Sequence, residues 1–288
     1  MKIKLTIFIL CLLDAALVIT LLIGNGTVAL LTPEGIIARS EKNLLITMVL
    51  IMLSCAIPVF LLAFFIAVKY KEGSRGTYAP DWKLTRNAAV LKWIIPITVI
   101  LFMAFLNWKF THELDPYKKL AGSTPPVTIQ VVALRWKWLF IYPDQKIATV
   151  NFIEIPLDTP ITFELTSDGP MNSFWIPQLG GQMYAMTGMK TQIHLEANTP
   201  GEYRGSAAEI NGAGFSGMKF RVKAVTPQEF NTWVGSVRSY PQVLNGTSYQ
   251  ELLKPSENNP PAFYSNVDPN LYNEVLMKYM LPSVQKVH

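Results

Sequence analysis

SAAEINGAGFSGMKF, residues 206–220, is the stretch on which the reading of this chain turns. Its end opens the run GMKFRVKAV, in which Met218, Phe220 and Val222 alternate with Lys219, Arg221 and Lys223. Upstream, PITFELTS repeats the pattern, with Ile161, Phe163 and Leu165 against Thr162, Glu164 and Thr166. Period-two alternation with Gly, Pro and Asn at the joints marks a half-buried antiparallel sandwich or barrel. Alternation alone leaves an immunoglobulin-like sandwich open. Ahead of its strand the stretch carries Glu209, Gly212 and Met218, but neither a thiol nor an imidazole.

Around that domain the composition is that of a membrane protein. Half of the 288 residues are apolar and only 16% are charged, against about a quarter in soluble domains. The apolar residues concentrate before residue 110. A net charge of +5 is modest and gives no sign of a nucleic-acid partner. The two cysteines, Cys11 and Cys55, lie inside apolar runs, so neither a disulfide framework nor a thiolate metal site is available. His112, His194 and His288 are too scattered for a haem or zinc site, and alternation in KTQIHLEA puts His194 on the wet face of a strand.

Residues 1–23 pair Lys2 and Lys4 with a long apolar run, which fits a signal peptide or an N-terminal membrane helix. Residues 25–42 read as a short loop outside the membrane. Two spanning helices follow, over about 44–68 and 88–106, with Pro58 kinking the first. Between them, KYKEGSRGTYAPDWKLTRN carries Lys69, Lys71, Arg75, Lys83 and Arg86, which marks the cytoplasmic side and sends the later domain outward. Lys92 can snorkel at that end, and Trp93 and Trp108 stand near the two boundaries. The expected division is therefore 1–23, a hairpin over 24–110, an outer domain over 111–226 and a helical extension over 227–288. Thr226-Pro227 followed by Gln228 and Glu229 starts the first extension helix, and the end is read as loop and then helix.

Glu209, Gly212 and Met218 sit at the offsets of a two-copper loop, Cys-x-Glu-x-Cys-Gly-x-x-His-x-x-Met. Ala207, Asn211 and Phe215 replace its ligands, and Asn172 in SDGPMNSFWIP replaces the upstream histidine. On these residues, and on the tail segment Phe263-Tyr264-Ser265-Asn266-Val267, the chain resembles subunit II of the haem-copper terminal oxidases, in the quinol-oxidising branch most like the bo-type ubiquinol oxidases. The resemblance covers about residues 40–280.

It implies a membrane-anchored α+β protein: a two-helix hairpin, a cupredoxin-like Greek-key β-barrel and a short helical extension. It also implies a bacterial inner-membrane location with the barrel in the periplasm, and partners in a haem-bearing subunit I, subunits III and IV and the bilayer. No cofactor is expected on this chain, and no catalytic residue. Haems, copper and the quinol site are expected in the catalytic subunit. Relatives of this branch resemble lipoproteins, with a cysteine just after the cleavage site, but none stands just after Ile23 and Cys11 lies too early. The family glutamate at a proton entrance, about four residues before Trp93, is Ala89 here.

Trp136, in RWKWLFIYP, matches the tryptophan through which electrons enter in copper-bearing relatives. With no copper to receive an electron, docking against the catalytic subunit is the better role, and Trp136 and Trp138 are read as one interface face of a strand. Glu209 is left a structural role, and Met218 packs in the barrel. Two other readings stand beside this one. A copper-bearing cytochrome c oxidase subunit is opposed by Asn172, Ala207, Asn211 and Phe215; a membrane-tethered, cupredoxin-like binding or assembly module would occur without haem-bearing partners.

Overall fold

A computed structural model of the chain describes residues 28–71, 83, 85–120 and 124–280. Residues 1–23, Cys11, most of the basic loop and His288 lie outside the described residues. The chain divides into a helical unit, residues 41–115, and a unit formed by residues 1–40 with 116–288.

Two helices, α1 (Ile36–Lys69) from residue 41 onward and α2 (Arg86–Glu113), make the first unit. At 1.5 Å per residue they are about 51 and 42 Å long, more than a bilayer core needs. Both outrun their apolar cores, and residues 36–42, expected as loop, are helical. The physical reason is that Ser40 and Thr47 return hydroxyl hydrogen bonds to Ile36 and Asn43 carbonyls at 3.2 and 2.8 Å, so polar residues extend the helix without breaking it. Phe60 and Phe64 are 75% and 68% exposed, so large apolar side chains of this unit have no cover among the described residues. Pro58 and also Pro96 lie within helix. Lys69 and Lys92, at the ends joined by the basic loop, each cover an aromatic ring, the geometry of cations reaching toward an interface.

The second unit is a sandwich. One sheet runs β11 (Ala262–Tyr264), β3 (Ile147–Val150), β2 (Lys137–Tyr142), β1 (Val127–Leu134), β5 (Ile161–Ser167), β8 (Thr191–Leu195). The other runs β4 (Phe152–Pro156), β10 (Lys219–Val225), β9 (Gly201–Ala207), β6 (Asn172–Trp175), β7 (Gln182–Ala185). Neighbours are antiparallel except β1 with β5 and β10 with β4, which are parallel; these two crossovers tie the sheets into a cupredoxin-like half-barrel. Between the sheets Trp138, Phe140, Phe163, Phe174 and Phe220 form one aromatic cluster. Offset and edge-on ring pairs add about 0.5–1.5 kcal/mol each beyond area burial.

The first sheet is not half-buried. β2 is buried at every position, because Leu139 and Ile141 on its outer face pack with Val132 and Leu134 against Tyr249, Leu271, Tyr272 and Val275 of the C-terminal segment. That segment holds α3 (Pro227–Arg238), α4 (Gly246–Leu253), β11 and α5 (Leu271–Met277). The expectation of loop then helix is corrected at Ala262–Tyr264, which pairs with β3 as a strand. At the other end of the unit, residues ahead of α1 dock on the sandwich: Glu34 N–H donates to the Gln178 carbonyl at 2.8 Å and Asn198 N–H to the Glu34 carbonyl at 2.9 Å. A Cβ on Gly35 would lie 2.4 Å from the Glu196 carbonyl oxygen, so the approach admits only glycine.

His194 is corrected as well. It is 5% exposed, with Nδ1 3.1 Å from the Thr162 hydroxyl. Burial, helped by Lys119, pushes its pKa below the ordinary value. Alternation named the right face, but neighbouring chain covers it.

Leu139 and Phe140 point to opposite faces of one strand, so they test whether the extension is integral. Each change to Ala is expected to cost about 2–5 kcal/mol, measured as denaturant unfolding of the full chain in detergent. An extension attached only loosely would leave Leu139→Ala nearly neutral.

Candidate functional site

Four loop and strand positions converge at one end of the sandwich. Asn172 opens β6 and is fully buried; Ala207 closes β9; Asn211 lies in the following loop; Met218 precedes β10 and is fully buried. The Asn211 amide donates to the Asn172 side-chain oxygen and lies 3.2 Å from Met218 Sδ. Asn172 in turn donates to the Pro170 carbonyl at 2.8 Å. Backbone bonds close the frame: Ala207 N–H to the Met218 carbonyl at 3.0 Å and Ala208 N–H to the Ser173 carbonyl at 2.9 Å. Asn172, Asn211 and Met218 are thus brought together as the copper-loop offsets imply, with amide hydrogen bonds between them. Phe215, in a short 3₁₀ turn (Ala213–Gly217), packs against the barrel core, and Glu209 is exposed beside Ile210.

These residues do not fit a dinuclear copper centre. Such a centre needs thiolate and imidazole donors, whereas Ala207 and Phe215 offer none, two amides are poor substitutes, and one thioether remains. Among the described residues no group of three or more His, Cys, Asp or Glu is placed to hold a metal ion.

Trp136 lies over this loop. It turns between β1 and β2 at φ 64°, a left-handed conformation that costs a non-glycine residue about 1 kcal/mol or more. Its indole covers Gly212 and Gly214, and a Cβ on Gly214 would fall 2.5 Å from the ring. Gly212 itself has φ 121°, a conformation that L side chains rarely adopt. Trp138 does not share that face. It is fully buried, edge-on to Phe174 and Phe220, and a side chain without surface cannot dock a partner. The pairing of the two tryptophans as one interface is corrected here, because the left-handed turn breaks the strand between them.

The extension holds both flanks of the loop, which the sequence reading missed. On one side residues 256–259 press against it: Glu257 and Asn258 stand where a Cβ on Gly214 or Gly217 would go. Asn151 donates to the Asn259 carbonyl at 3.0 Å, and the buried Lys137 ammonium donates to the Lys254 carbonyl at 2.9 Å. On the other side, Asp168 accepts from Tyr249 Oη at 2.7 Å, Lys278 Nζ at 2.7 Å and Tyr279 Oη at 2.6 Å. Burial pushes the Asp168 carboxyl up, but the bonds from Lys278, Tyr279 and Tyr249 outweigh it and hold it below the usual range. The one available signal was the aromatic density of the tail, since nothing in the spacing of Asp168 and Tyr279 announces a contact.

The chain matches two family models: the periplasmic domain of cytochrome c oxidase subunit II over residues 145–225, and the "COX Aromatic Rich Motif" over residues 238–283. It is 45% identical to the cytochrome bo(3) ubiquinol oxidase subunit 2 of Pseudomonas aeruginosa over 260 residues, 90% of this chain and 78% of that one. It is 43% identical to the ubiquinol oxidase subunit 2 of Acetobacter aceti, over 90% of this chain and 85% of that one. The quinol oxidase subunit 2 of Bacillus cereus is 36% identical, over 79% of each.

If the frame is intact and only the donors are missing, restoring them should restore the metal. Asn172→His, Ala207→Cys, Asn211→Cys and Phe215→His together are expected to give a copper-binding, purple protein with thiolate absorption. Absence of that band in a folded variant counts against a retained frame. Asp168→Asn is expected to cost about 2 kcal/mol. With its folded pKa below the unfolded value of about 3.9, the wild-type stabilisation is complete above that value and is lost as pH falls through the folded pKa. Unfolding midpoints against pH should therefore lose an acid-side slope in the variant.

Proposed function

The chain belongs to the family of subunit II of the haem-copper quinol oxidases, and on that footing we propose that it braces and caps the catalytic subunit without carrying electrons. As such a subunit it serves an oxidoreductase complex that oxidises ubiquinol to quinone and reduces oxygen to water, with proton translocation. The observation that carries the proposal is the Asn211–Asn172–Met218 cluster, in which hydrogen bonds occupy the place of ligands. A lipid-soluble donor makes a metal relay in the barrel unnecessary.

Haems, copper and the quinol site then belong to the partner subunit I, with subunits III and IV completing the assembly. The complex lies in the bacterial inner membrane, and α1 and α2 cross it with the barrel in the periplasm. The organisation is a hairpin within residues 24–110, a barrel over 111–226 and an extension over 227–288, with residues 1–23 as signal or further helix. Ala89, in the first turn of α2, supplies no carboxylate, so proton uptake uses another group.

The docking face of the barrel is its loop end. Ile210 is 79% exposed there, and Met171, Met189, Tyr279 and Met280 are 44, 51, 44 and 51% exposed. Local contacts gather them: Asn211 reaches Asn172, Tyr279 bonds Asp168, and a Cβ on Gly188 would lie 3.2 Å from Tyr279. Exposed apolar patches mark interaction sites, and methionines adapt well to a partner's shape. Trp136 borders this face.

Changing Ile210→Asp with Met171→Ser should lower recovery of the haem-bearing subunit with this chain about tenfold, with an unchanged unfolding midpoint because both side chains are exposed. Undiminished recovery contradicts the assignment. A wild-type chain that purifies alone from native membranes favours the tethered binding module instead.

A further inference from the structure

The outer face of the second sheet carries a different surface. There the register sets Arg221 directly opposite Arg204 and Lys219 opposite Ser206, with all three cations exposed. Like charges directly opposite on an antiparallel pair destabilise it. Glu202 answers part of this charge, at 3.3 Å from Arg221, while Lys223 leans toward Glu154 at 3.7 Å. Arg204 and Lys219 have no acidic partner among the described residues. Beside them the sheet meets the extension, and Asn151, Asn259 and Pro261 wall a cleft of about 450 Å³ with Arg204, Lys219 and Arg221; Glu202, paired with Arg221, is the one carboxylate in its lining.

We propose that this cleft docks an acidic, extended segment of a partner polypeptide. Lys219 and Arg221 stand two residues apart on β10, about 6.8 Å, which is the spacing of alternate side chains in an extended peptide. Arg204 flanks them from the neighbouring strand about 4.8 Å away. Carboxylates at positions i and i+2 of such a segment meet the first two cations, and a third carboxylate or a backbone carbonyl meets Arg204. The bound anions remove the repulsion between Arg204 and Arg221, so the strain in the free sheet becomes binding free energy. A walled cleft takes a chain in preference to a flat membrane surface. The first sheet offers no equivalent, since the extension covers it.

The test is zero-length carbodiimide coupling of the intact assembly in native membranes, which joins Lys219 Nζ only to a carboxylate in contact with it. Peptide mapping should find Lys219 joined to an Asp or Glu of a second polypeptide, in a segment with acidic residues at alternate positions. The yield should fall about five- to tenfold in Arg204→Gln and again at high salt. In the free full chain, Arg204→Gln should leave the unfolding midpoint unchanged or raised. Coupling of Lys219 only to Glu202, no coupling, a lipid adduct alone, or a partner segment without that acidic pattern overturns the proposal; so does a lowered midpoint in the free variant.

Discussion

The first sheet of the outer domain has to be covered on both sides. Trp138, Phe140 and Tyr142 of β2 face the second sheet, and Leu139 and Ile141 face the other way. Leaving two such side chains in water would forgo about 1.5–3 kcal/mol each. The C-terminal extension meets this need with Tyr249, Leu271, Tyr272 and Val275, so it is a layer of the domain and not a tail. Everything distinctive about the site follows from how that layer is fastened.

Its fastenings reach the remnant loop from two directions. Asp168, four residues before Asn172, is held by Tyr249, Lys278 and Tyr279. Gly214 and Gly217 are backed by Glu257 and Asn258. A metal ion orders its ligand loops by coordination; here packing, buried hydrogen bonds and Trp136 hold the same loops. The barrel therefore keeps a shaped loop end without metal donors, as the proposed supporting role requires.

Much of the fold was legible because its signals are local. The two long helices are apolar runs, charge-free from Leu44 to Val68 and with Lys92 alone over 88–106, and the alternation in residues 161–166 and 218–223 gave β5 and β10. The substituted ligand positions were legible only through the resemblance to the family's copper loop, with Glu209, Gly212 and Met218 setting the register. What escaped depends on distant chain. His194 was given the right face but the wrong solvent, since the covering residues lie elsewhere in sequence. Trp136 and Trp138 have the spacing of one strand face, yet a left-handed turn at Trp136 separates them. β11 is three residues long and gains its identity only by pairing with β3. The Asp168 cluster joins residues about 110 apart, and no periodicity encodes that.

The account rests on a barrel that cannot hold a redox metal. The most direct measurement is metal analysis, with electron paramagnetic resonance, on the full chain separated from its native oxidase complex. The account predicts copper at background and no signal on this chain, with the complex's copper remaining in the haem-bearing fraction. Stoichiometric copper on the separated chain, cycling between two oxidation states, would contradict it.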